Sequence, residues 1–132
     1  MLDIDDATTL SEADWHELSS RAELPCSWKE YAASGGGTLT KPDSTRKFCR
    51  VALASIAIVW ADDQWHAAYA KDVSKMGMGF YSPVQFLPRA RVRVWLPGHS
   101  LLRLRVARCR RLKDRCFECG GLFEAVDKAP RL

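Results

Sequence analysis

The sequence predicts an all-β fold: a six-stranded antiparallel β-barrel carrying a short N-terminal helical extension. From residue 51 onward the hydrophobic pattern has a period of two, as on a pleated strand. Short turn signals, such as Ala61-Asp62-Asp63-Gln64 and Pro97-Gly98-His99-Ser100, cut this region into six strand-like runs. The runs occupy fewer than 90 residues, and a sheet of that size hides its edges most simply by closing on itself.

Taken in order, Leu10-Ser11-Glu12-Ala13-Asp14-Trp15 opens a helix over roughly 12–22. Ser11 stands three residues before Asp14 in capping-box spacing, and Leu10 and Trp15 occupy the positions of a hydrophobic staple. The apolar stripe Trp15, Leu18 and Ala22 is narrow, so a helix this short needs a surface to dock on. After Pro25, SWKEYAAS is suited to a further helical turn, and SGGGT at 34–38 reads as a flexible break before the domain proper. The first strand, VALASIAIVW, is apolar on both faces; WHAAYAKDVS returns across the Asp62-Asp63 turn. MGFYSPVQF, RARVRVWL, LLRLRVARC and CFECGGLFEA supply the other four. The expected division is an acidic helical extension with a Gly-rich linker at 1–40, a barrel domain at 41–127 and a C-terminal tail at 128–132.

Of the 132 residues, 47% are apolar and 27% charged, as in a globular domain able to bury a core without staples. The N-terminus is acidic and lacks the charged-then-apolar order of a signal peptide, and the longest apolar run is too short to span a bilayer. A cytoplasmic location with no membrane segment is therefore expected. The five cysteines (26, 49, 109, 116 and 119) are then expected to be reduced, buried and inert. Cys116-x2-Cys119 lacks the second pair or added histidines of a structural zinc site, and on a strand its two members face opposite ways, so no metal is expected. The three histidines form no nucleophile–base or paired-carboxylate arrangement, so neither an enzyme nor a cofactor is expected. The five tryptophans are expected to serve packing, with Trp95 at a strand end the one to watch.

Charge divides the chain. Residues 1–34 hold eight acids and two bases, net −6, and residues 35–132 hold eight acids and eighteen bases, net +10. A basic module of this kind favours an anionic partner. On it, Arg46 and Arg50 lie four residues apart just before the first strand, a spacing that puts both guanidinium groups on one side in either a helix or a strand. Folding the hairpin at Asp62-Asp63 brings Arg50 within a residue or two of Asp72, with Ser74 two positions on and Gly77 after it. Arg91 and Arg93 are expected to face Arg103 and Arg105 across a five-residue loop, on a solvated outer face. Arg108 and Arg110 continue that strand, within reach of a ligand phosphate.

The order R-x-x-x-R, hairpin, D-x-S-x-x-G resembles the PilZ domain, the bacterial receptor module for cyclic di-GMP, over about residues 44–126. The resemblance implies a PilZ-like barrel whose ligand-binding residues are Arg46, Arg50, Asp72, Ser74 and Gly77. The residue chemistry suits the ligand. An Arg fork meets guanine O6 and N7 or phosphate oxygens in planar geometry. Asp72 can accept guanine N–H groups, Ser74 can donate to an oxygen, and a missing side chain at Gly77 leaves room for a ligand. The implied function is a non-enzymatic receptor or adaptor that changes conformation on binding and signals to an unidentified protein partner, with the acidic helix resting on the basic barrel as its moving part. The alternatives are a PilZ-like protein-interaction module without nucleotide binding, and a small basic barrel that binds RNA or DNA. The intact five-residue signature counts against the first; the +10 charge permits the second, which expects surface aromatics interleaved with bases and salt-sensitive binding.

Overall fold

Alternation of side chains along the strands builds the core of this molecule, and breaks in that alternation build its surface. A computed structural model describes residues 11–34, 36–39, 51–97 and 101–124. The elements are α1 (Glu12–Glu17), α2 (Trp28–Ser34), β1 (Gly36–Leu39), β2 (Val51–Ala61), β3 (Gln64–Val73), β4 (Gly77–Ser82), β5 (Arg91–Trp95), β6 (Leu102–Lys113) and β7 (Cys116–Phe123). The strands follow one another in the order β1-β2-β3-β4-β7-β6-β5, every pair antiparallel. β5 pairs back onto β2 through Ile58–Trp95, Val59–Val94 and Trp60–Arg93, which closes β2 to β7 into a six-stranded antiparallel barrel.

Inward positions fill the barrel: Ala57, Val59 and Ala61 of β2, Ala68 and Ala70 of β3, Met78 and Phe80 of β4, Val92 and Val94 of β5, Leu104 and Val106 of β6, and Cys119 of β7. Burying each of the larger of these side chains contributes about 1.5–3 kcal/mol. The outer face of β2 is apolar for a separate reason: Ile58, with Ala67 and Trp95, buries Trp15 of α1, whose indole N–H donates to the Ala68 carbonyl at 2.9 Å. Trp95 is thus a packing residue. Asp62 and Asp63, at φ 51° and 61°, form the two-residue β2–β3 turn with the positive φ pair that matches strand twist.

Four expectations need correction. α1 stops at Glu17 rather than near residue 22, because the chain beyond it is taken by the sheet. The Ser20 carbonyl accepts the Ala67 N–H at 2.7 Å and the Ala22 N–H donates to the Ala67 carbonyl at 2.8 Å, covering β3 beyond the end of β4. Arg21 turns back to donate to the Leu18 and His16 carbonyls at the end of α1. The glycine-rich break instead contains β1, paired with β2 through Gly36–Leu53 and Leu39–Val51. The run MGFYSPVQF is a strand only to Ser82, since Pro83 cannot extend the ladder, and Ser82 accepts the Val84 N–H in a turn. Finally, Cys26 is exposed and Cys109 half-buried, while Cys116 and Cys119 are buried as expected.

Candidate functional site

Two β-bulges aim the charged residues of the outer face. On β3, Ala70 pairs with Phe80 and Asp72 with Gly79, so Lys71 is the extra residue and Asp72 is turned outward over β4. On β6, Val106 pairs with Gly121 and Arg108 with Gly120, so Ala107 is the extra residue and Arg108, rather than Ala107, stands opposite Gly120. Gly79 pairs with Gly120 across β4 and β7. One row therefore crosses five strands: Ala52, Asp72, Gly79, Gly120, Arg108.

Asp72 is only 5% exposed, yet its carboxylate is well supplied with donors. Oδ1 accepts the Gly79 N–H at 3.0 Å, and Oδ2 accepts from Lys71 Nζ at 3.1 Å. Lys71 also reaches Glu118 at 3.7 Å, and Glu118 is held by Arg110 at 2.9 Å. Gly79 is glycine because a β-carbon there would stand 2.8 Å from Asp72 Oδ1. The spacing D-x-S-x-x-G passes over Gly79, which is as closely tied to Asp72 as any residue of the motif.

Ser74 and Gly77 form the turn between β3 and β4. The Ser74 N–H donates to the Gly77 carbonyl at 2.8 Å, and Ser74 Oγ accepts the N–H groups of Met76 and Gly77 at 3.2 and 3.3 Å. At Gly77 an added β-carbon would lie 2.0 Å from the Gly121 carbonyl oxygen. The side chain is excluded there by the backbone of β7, so the expectation that its absence leaves room for a ligand is replaced by a packing reason.

Arg46 and Arg50 lie outside the described residues. The strand they lead into is described: Val51 pairs with Val73 and Ala52 with Asp72. The register expected from the sequence is therefore present, and the start of β2 runs beside the Asp72–Ser74 end of β3. The paired arginines Arg91–Arg105 and Arg93–Arg103 also stand directly opposite one another, as expected. A cavity of about 440 Å³ borders Arg91, Arg93 and Arg103 near the β2–β3 turn, at the other end of β3 from Asp72. Among the described residues no group of His, Cys, Asp or Glu is arranged to hold a metal. Burial raises the Cys116 and Cys119 thiols, which favours their protonated, inert form.

The site thus consists of a carboxylate, a hydroxyl-capped turn and a pair of buried glycines on the outer face of a small closed barrel. The PilZ domain family model matches residues 44–131, and the chain belongs to that family. PilZ domains are generally cyclic di-GMP receptors and typically act as receptor or adaptor modules rather than enzymes. No curated protein is similar enough to this chain to count as a match.

Proposed function

We propose that this protein is a cyclic di-GMP receptor of the bacterial cytoplasm whose site combines Arg46, Arg50, Asp72, Ser74 and Gly77. The observation that supports the reading most is the β2–β3 register: Ala52 beside Asp72 puts the residues that follow R-x-x-x-R next to D-x-S-x-x-G. Arg46 and Arg50 supply planar forks for guanine edges and phosphates. Asp72 holds a fixed acceptor on the outer face beside Gly79, and Ser74 shapes the turn that follows. Binding adds two negative charges to a basic module, and the resulting rearrangement of the segment before β2 is the signal passed to a protein partner. Among the described residues no helix is long and apolar enough to cross a membrane.

Titration calorimetry with cyclic di-GMP, GTP and a mixed oligonucleotide tests the proposal. Because Asp72 also satisfies the Gly79 N–H, the informative variant is Asp72→Asn, which keeps an acceptor oxygen and removes the charge. The expected result is selective binding of cyclic di-GMP, weakened at least about tenfold in Asp72→Asn and in Arg50→Ala, as loss of a charge-assisted contact requires. Preference for the oligonucleotide, or no nucleotide binding at all, contradicts it.

A further inference from the structure

We propose that Arg108 is an additional ligand-binding residue, standing beside Asp72 on the outer face of the barrel and donating its fork to an acceptor-rich edge of the bound dinucleotide, phosphate oxygens or guanine O6 and N7. The inference rests on the cyclic di-GMP reading above and adds a strand, β6, that neither sequence motif includes.

Its basis is the row of residues that the two bulges create. Asp72 Oδ1 lies over Gly79, and the Arg108 guanidinium lies over Gly120: a β-carbon at Gly120 would be 3.1 Å from Arg108 Cζ and 3.3 Å from each terminal nitrogen. Gly79 and Gly120 are direct cross-strand partners. A carboxylate and a guanidinium thus stand side by side over two buried glycines about one strand spacing apart, roughly 5 Å, and put an acceptor and a donor fork on one patch of the outer face. Without the Ala107 bulge, position 108 would point into the barrel beside Val106.

Charge pairing separates Arg108 from its neighbours. Arg110 is held by Glu118 at 2.9 Å and Arg111 by Asp114, whereas Arg108, also exposed, makes no ion pair among the described residues. A guanidinium kept flat against a glycine backbone, with its donors unmatched by a carboxylate, is ready for an oxyanion or a guanine edge.

The experiment compares cyclic di-GMP binding by the full chain with that of Arg108→Ala, Arg108→Lys and Arg111→Ala, with a thermal melt of each. The inference expects about tenfold weaker binding in Arg108→Ala with an unshifted melting temperature, partial recovery in Arg108→Lys, which keeps the charge but loses the fork, and little change in Arg111→Ala, whose guanidinium is held by Asp114. Wild-type affinity in Arg108→Ala overturns the role of Arg108 and leaves the receptor reading standing. Full recovery in Arg108→Lys overturns the bidentate contact. Failure of the wild-type chain to bind removes the receptor reading itself, and this inference with it.

Discussion

His66 is 4% exposed, and the barrel treats it as a neutral side chain. Its Nδ1 lies 2.7 Å from Ser20 Oγ, and its ring packs at 69° to Phe86 with centroids 6.1 Å apart. Burial lowers its pKa below 6.5, and the Asp62 charge offsets this only in part. The unfolded chain therefore binds the His66 proton more readily than the folded one. The stabilisation tied to the neutral ring is complete above about pH 6.5 and is lost as pH falls from there toward the lower folded pKa. Urea unfolding at pH 7.5, 6.5 and 5.5 is expected to show stability falling with acid. His66→Gln removes that His66 contribution, so its curve is flatter over the same interval; an equal slope in the variant contradicts the assignment. The glycines belong to the same scale. Gly77 and Gly79 look alike in the sequence, yet one is required by the Gly121 carbonyl and the other by the Asp72 carboxylate. Only neighbours distant in sequence distinguish them.

At the scale of elements, the N-terminal segment is built into the sheet rather than held against it by charge. The extension was expected to rest as an acidic helix on a basic barrel, but its anchors are aromatic. Trp15 packs on Tyr69 at 5.3 Å and Tyr31 packs on the same ring at 5.5 Å. The only ion pair from α1, α2 or their connection to the barrel among the described residues is Glu23–Lys113, at 3.9 Å. α2 begins where Ser27 Oγ accepts the Glu30 N–H at 3.2 Å and donates to the Glu30 carboxylate at 3.0 Å, a reciprocal cap. It then delivers Tyr31 into the place where the β2–β3 register shifts. There the phenol accepts the Ser55 N–H at 2.7 Å and turns its proton toward the Ala70 carbonyl at 2.7 Å. Burial raises its pKa to about 12, so it remains a donor at any physiological pH. Tyr31→Phe takes that partner from the part-buried Ser55 N–H and the buried Ala70 carbonyl and is expected to destabilise the fold by about 1–3 kcal/mol in denaturant unfolding. A change below ~0.5 kcal/mol would show that the bulge satisfies itself. Ala70 is two residues from Asp72, so the same variant is also expected to weaken ligand binding.

The strands were legible because each alternates against a single core, and the turn at Asp62-Asp63 was legible because its residues tolerate positive φ. The bulges at Lys71 and Ala107 were not. A bulge is set by how two strands share hydrogen bonds, and neither strand's own pattern records it. For that reason Asp72 could be placed from hairpin arithmetic, while the relation of Arg108 to Asp72 through two glycines required three further strands. The length of α1 escaped for a related reason: the pull of Ala67 on residues 20–22 is tertiary.

For the whole molecule, the barrel has two ends with different equipment. One carries Asp72, Ser74 and the glycine pair; the other carries the β2–β3 turn and the cavity beside Arg91, Arg93 and Arg103. Cyclic di-GMP is proposed to bind at the first. Amide chemical-shift mapping on isotope-labelled protein locates the ligand most directly. Saturating cyclic di-GMP is expected to move the amides of Asp72, Ser74, Gly77, Gly79 and Gly120 most and to leave Asp62, Asp63 and Gln64 in place. Shifts centred on the β2–β3 turn, or a spectrum that does not change, would contradict it.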